Sequence, residues 1–128
     1  MCQTLDATII NNGLHGWGYS EEEYQQHFPE LVATIRKHAA QAKLIWATIT
    51  PMRQTGNLDV IAENTKRVQA RNKIAQEIVT REGITVDDLY GLVKDHPDYW
   101  SPDGVHFNAQ GVVAQAEQVT KRITETLQ

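Results

Sequence analysis

Lys43-Leu44-Ile45-Trp46-Ala47-Thr48-Ile49-Thr50-Pro51 is the stretch that decides the fold. Leu44, Ile45, Trp46, Ala47 and Ile49 leave almost no polar position between them, so the run lacks the alternation of a strand with one wet face. It reads as a strand from Lys43 to Thr50, buried on both faces and closed by Pro51, and such strands belong in parallel sheets covered by helices. The chain on either side supplies the rest of that pattern. Upstream, Leu5 to Ile10 is a second short apolar run, stopped by Asn11, Asn12 and Gly13. Downstream, Ile84 to Val86 makes a third.

Helical spacing fills the intervals. Ser20 and Glu23 form a capping box ahead of Tyr24, Phe28, Leu31, Ile35 and Ala39, and Pro29 is expected to break or restart that helix. After a polar loop with Gly56 and Asn57, a long helix is expected from Asp59 to Glu82, with Ile61, Val68, Ala75 and Val79 on one face and Gly83 as its stop. Val112, Ala116, Val119, Ile123 and Leu127 mark a final amphipathic helix. Strand, helix, strand, helix, strand, helix predicts a three-layer α/β/α architecture around a parallel sheet. Three strands make a small sheet, so strands are expected to be missing from it.

Composition narrows the function classes. At 128 residues the chain suits one core, a single domain over 1–128, and its 41% hydrophobic and 22% charged content is that of a folded protein. A net charge of -4 and a pI near 5.7 give no reason to expect nucleic acid or an anionic membrane as partner. Cys2 is the only cysteine, so an intrachain disulfide is excluded, and no cysteine cluster points to zinc. No apolar run reaches membrane-spanning length, no targeting segment is legible, and the compartment stays open. No Gly-rich phosphate loop follows any strand, which argues against a nucleotide-binding flavodoxin-like domain, and no cofactor is expected.

In open parallel sheets ligands bind beyond the carboxyl ends of the strands, so chemistry is sought in three loops. They are Gly13-Leu14-His15-Gly16-Trp17, Thr50-Pro51-Met52-Arg53, and Asp87 to His106. The last ends Ser101-Pro102-Asp103-Gly104-Val105-His106-Phe107. A turn at Asp103-Gly104 brings the carboxylate to one ring nitrogen of His106, fixing the tautomer and leaving the other nitrogen as a general base. By itself the motif is more economically a turn beside a surface histidine.

Its setting adds weight. Asp103 and His106, just ahead of the last helix, resemble the final Asp-x-x-His block of the SGNH, or GDSL-type, ester hydrolases. Gly13-Leu14-His15-Gly16 is similar to that family's Gly-x-Asn-Asp block, with His15 in place of the oxyanion-binding Asn and Gly16 in place of the Asp. Ile84-Thr85-Val86-Asp87-Asp88-Leu89-Tyr90 resembles the strand before the catalytic loop. The resemblance covers nearly the whole chain and implies a flavodoxin-like SGNH fold. It implies catalysis by Asp103 and His106, with His15, Gly13 and Asn12 around the oxyanion and an acyl ester, of a small molecule or a carbohydrate, as substrate.

No counterpart of the family's Gly-Asp-Ser block is present. The two serines are Ser20, at a helix cap, and Ser101, inside the catalytic loop, and neither stands on a strand-to-helix elbow. The nucleophile is therefore unassigned, and the resemblance implies that the first two strands of the family's five-stranded sheet lie outside this chain. An unpaired first strand is expected to promote self-association through the exposed sheet edge. Trp17, Tyr99 and Trp100 flank the loops and are candidates to line a substrate pocket. Asn64 and Asn72 are expected to hydrogen-bond a loop. His15, His96 and His106 lack ligand-pair spacing, so no metal site is expected. The competing function is a non-catalytic module that keeps the fold and binds a sugar or a protein partner.

Overall fold

The computed structural model describes residues 6–128, so Cys2 and the Leu5 start of the first strand lie outside the described residues. Three parallel strands form the sheet in the order β1 (Ala7–Ile10), β2 (Lys43–Ala47), β5 (Thr85–Asp87). Ile9 pairs with Ile45 and Trp46 with Val86. The central strand is the fully apolar one, with Ile45 and Trp46 at 0% exposure. Leu44 and Trp46 point into a core built by Phe28 and Val32 of α1 (Glu21–His38) and by Ala75, Ile78 and Val79 of α2 (Thr65–Arg81). The opposite face belongs to α4 (Ala109–Leu127), where Gln118 Nε2 donates to Asp87 Oδ1 at 2.7 Å. Helices on both faces of a parallel sheet make the expected three-layer α/β architecture.

β2 ends three residues earlier than its apolar run. Thr48 N–H bonds the Asp87 carbonyl at 2.9 Å, and Asn72 then takes both backbone groups of Ile49, at 2.7 and 2.8 Å. Thr48 to Thr50 stay buried, and at Ile49 a side chain takes the place of a neighbouring strand, which the hydrophobic pattern does not distinguish from a strand.

Two expectations are corrected. α1 runs unbroken through Pro29. The ring removes one bond to the Gln25 carbonyl, but both residues are exposed, so water replaces the partner while burial of Phe28 and Val32 carries the helix across. The long helix begins at Thr65, not Asp59. Before it, β3 (Arg53–Gln54) and β4 (Asn57–Ile61) form an antiparallel hairpin about Thr55-Gly56, where Gly56 has the positive φ of 82° that the turn requires. Asn64 caps α2 without a side-chain bond. Thr65 anchors the helix start to the end of the second loop, its hydroxyl exchanging bonds with both backbone groups of Met52 at 3.0 and 2.9 Å. Within the third loop lie α3 (Leu89–Val93) and a short 3-10 turn, Pro97–Tyr99. The Ser20–Glu23 capping box is formed in both directions, at 3.1 and 2.8 Å. Ser20 is thereby occupied as a helix cap.

Candidate active site

All three strands run the same way, so the loops after them open at one edge of the sheet. Asp103 and His106 meet there. The chain turns at Gly104, whose N–H bonds the Ser101 carbonyl at 3.0 Å, and Ser101 N–H returns to the His106 carbonyl at 2.8 Å. Inside that turn Asp103 Oδ1 accepts the N–H groups of Val105 and His106 at 2.8 and 2.9 Å, which aims Oδ2 at His106 Nδ1, 2.6 Å away. The His106 ring is thus held as the Nδ1–H tautomer when neutral, with Nε2 facing outward and bonded to nothing among the described residues. The side chain of His106 is 79% exposed.

Three donors on one carboxylate have an electrostatic consequence. The His106 ring bond, followed by the backbone bonds from Val105 and His106, holds the Asp103 carboxyl at about 2 against an ordinary 3.8. A folded-state value below the unfolded one stabilises the turn at all pH above the ordinary carboxylate range, and that contribution is lost as pH falls through about 2. A carboxyl-carbon titration of Asp103 by NMR is therefore expected to show its midpoint near 2, whereas a midpoint at 3.8 would mean that the pair does not form in solution.

The loop after β1 is built differently. Arg71, only 2% exposed, projects from α2 and donates to the carbonyls of Gly13 (3.0 Å), His15 (3.2 Å), Gly16 (3.2 Å) and Tyr19 (2.9 Å). Arg67 adds the carbonyls of Trp17 and Tyr19 at 3.1 and 2.7 Å, and Glu21 Oε1 bridges both guanidinium groups. Trp17 lies over both cations, 5.0 and 4.8 Å from ring centre, so its face is occupied. Neither arginine was singled out by the sequence pattern, although Arg71 falls between Val68 and Ala75 in the buried stripe of its helix. Asn11 donates to the Ala47 and Thr48 carbonyls at 3.1 and 3.2 Å, tying the ends of β1 and β2 together.

Asn12, Gly13 and His15 line a groove of about 640 Å³ whose far wall is α1, through Tyr24, Phe28 and Leu31. Tyr24 donates its hydroxyl to the Asn12 carbonyl at 2.9 Å, and burial pushes that phenol up, with Arg71 pulling the other way. A second groove, of about 330 Å³, lies between α2 and α3 and is lined by Thr48, Asn72, Lys73, Asp88 and Tyr90 among others. Neither groove reaches Asp103 or His106. Tyr99 stacks on His96 at 4.3 Å, and Trp100, 3% exposed, packs on Phe107 at 4.8 Å, so Trp100 is part of the core. Asn72 makes the loop bonds expected of it. Among the described residues no group of three or more His, Cys, Asp and Glu side chains is arranged to hold a metal ion, and no helix is long and apolar enough to cross a membrane.

A parallel three-layer sheet with an Asp–His pair just ahead of its last helix defines a class of α/β protein. The chain belongs to the GDSL-like lipase/acylhydrolase family, whose model matches residues 10–114. Among solved structures it is similar to a GDSL-like lipase from Bacteroides thetaiotaomicron, with TM-score 0.73 at 16% identity over 94% of this chain and 62% of that one. It is also similar to the esterase domain of an ORF1 protein from a zebrafish retrotransposon, with TM-score 0.72 at 19% identity over 84% of this chain and 61% of that one. A lipase/acylhydrolase from Enterococcus faecalis gives TM-score 0.69 at 20% identity over 92% and 60%. These likenesses carry the fold, and the chain spans roughly three fifths of the length of each of the three. No protein of curated function matches it.

Proposed function

We propose that this chain supplies the acid–base half of a serine ester hydrolase, acting on a small-molecule or carbohydrate acyl ester. The observation that carries this reading is the 2.6 Å contact between Asp103 Oδ2 and His106 Nδ1, with Nε2 left facing solvent. In the proposed cycle Nε2 takes the proton of a serine hydroxyl as its oxygen attacks the ester carbonyl, and Asp103 stabilises the imidazolium so formed. His106 then gives that proton to the departing alcohol, leaving an acyl-serine. Water, giving a proton to the same nitrogen, then attacks the acyl carbon, and that proton passes from Nε2 to the serine oxygen as its bond to the acyl carbon breaks, releasing the acid and restoring the hydroxyl. His15, in a loop fixed by Arg71, serves as a neutral N–H donor to the oxyanion, beside Asn12 and the backbone of Gly13.

The serine is supplied by a segment other than the described residues. Ser20 accepts the Glu23 N–H as a helix cap, and Ser101 sits in the dyad's own turn. In support of this, among the described residues β1 pairs with β2 alone, so its other side is free to take such a segment. In the isolated chain the same edge favours self-association. A second reading, a non-catalytic module, draws support from one fact: neither groove reaches His106.

The test is to join a Gly-Asp-Ser-bearing strand–helix–strand segment of a relative to the amino-terminal side and assay hydrolysis of p-nitrophenyl acetate. Activity above both the isolated chain and a Ser→Ala version of the segment is expected. A folded fusion that stays at background would favour the non-catalytic module.

A further inference from the structure

Arg53 is a buried cation without an anion. It is 5% exposed, and no carboxylate lies within salt-bridge distance of it among the described residues. Its guanidinium instead donates to two carbonyls from separate parts of the chain, Leu58 of β4 at 2.9 Å and Lys94 beyond α3. The same group lies over the Trp100 ring, 4.8 Å from its centre. Burying a charge is costly, and a Met or Leu of similar volume fills such a space at less expense, so packing alone does not explain an arginine here.

What these contacts share is the turn that carries the dyad. Trp100 pairs as an isolated bridge with Phe107, closing the base of the Asp103–His106 turn. The backbone of Arg53 grips the top: its N–H donates to the Gly104 carbonyl at 2.8 Å. Its carbonyl oxygen approaches so closely that a Cβ on Gly104, where φ is +74°, would sit 2.0 Å from it. Two residues on, Thr55 donates its hydroxyl to the Asp103 carbonyl at 2.9 Å. The hairpin thus touches the turn at both of its central residues, and the Arg53 side chain fixes the hairpin to the floor beneath.

We propose that Arg53 is a positioning residue for the Asp103–His106 pair, locking the β3–β4 hairpin, the chain at Lys94 and the Trp100 ring into one frame on which the turn rests. The proposal builds on the catalytic reading of that pair, but its test reads the geometry of the pair and not turnover, so the two fail separately. The imidazole tautomer is the readout, because a side chain that only adds stability changes the unfolding midpoint without moving the proton between ring nitrogens.

The experiment compares the chain with Arg53→Met and Arg53→Lys by long-range nitrogen–proton NMR of His106 at a pH where the ring is neutral. In the parent the proton resides on Nδ1. In folded Arg53→Met the Nδ1–H signal is expected to give way to the mixture of tautomers of an unheld imidazole, with the Asp103 carboxyl rising toward its ordinary range. An unchanged His106 in a folded Arg53→Met overturns the proposal. If Arg53→Met does not fold, Arg53→Lys decides, since one ammonium cannot span both carbonyls and hold the Trp100 face as a planar fork does. Partial loss of the Nδ1–H form then supports the proposal, and a His106 signal identical to the parent overturns it.

Discussion

In a fusion that supplies a serine nucleophile, the proposed function predicts that His106→Ala lowers turnover by about 10⁵- to 10⁶-fold while leaving KM within a few fold, as loss of the base does in serine hydrolases. That factor corresponds to about 7 to 8 kcal/mol of transition-state stabilisation. The reason is geometric. A serine hydroxyl is a weak nucleophile until a base removes its proton during attack, and in the loops at the carboxyl edge of the sheet the imidazole hydrogen-bonded to a carboxylate is that of His106. His27 and His96 also have carboxylates nearby, Glu30 at 3.1 Å and Asp98 at 3.7 Å, but the first lies on the surface of α1 and the second stacks on Tyr99. Steady-state kinetics on parent and variant decide the matter. A loss of less than tenfold would remove His106 from the reaction.

His15→Ala is expected to cost about 10²- to 10³-fold in turnover, roughly 3 to 4 kcal/mol, the usual penalty for deleting one oxyanion donor. Binding should change less, because the charge on the oxygen develops only in the transition state. The expectation rests on the clamp behind the loop: with Arg71 on the carbonyls of Gly13, His15 and Gly16, the backbone around His15 is held before substrate arrives. His15→Asn, which restores the donor usual in the resembling block, should retain much of the activity. If His15→Ala turns over like the parent, the donor is Asn12 or a backbone amide.

The parts of this protein that were legible from sequence are those written in local periodicity. Leu44 to Ala47 announces a doubly buried strand, Ser20 and Glu23 announce a cap, and Val112 to Leu127 announce an amphipathic helix, because each signal is complete within a few residues. The hairpin was not legible as such. Asp59 to Ile61 continues smoothly into a helical register, and only the Gly56 turn, together with Ala62 N–H bonding the Met52 carbonyl at 2.8 Å, makes it a strand. Pro29 misled in the opposite direction, since one lost bond on a solvated face is outweighed by burial on the other side. The Asp103–His106 pair was visible because its two members share one turn. Arg53, Arg67 and Arg71 were not, because each acts on carbonyls some 40 to 60 positions away in the chain, apart from the nearby Leu58. The one trace they left is Arg71 and Asn72 interrupting the apolar stripe of α2 between Val68 and Ala75, where a polar residue must find buried partners.

The central claim, that His106 serves a serine brought by another segment, is tested most directly by pre-steady-state acylation with p-nitrophenyl acetate. The isolated chain is expected to show no burst and a slow rate no greater than that of its His106→Ala variant. The fusion carrying the Gly-Asp-Ser segment is expected to release about one equivalent of p-nitrophenol per chain in a burst that disappears with His106→Ala. A His106-dependent burst from the isolated chain, or a burst from the fusion that survives His106→Ala, would contradict it.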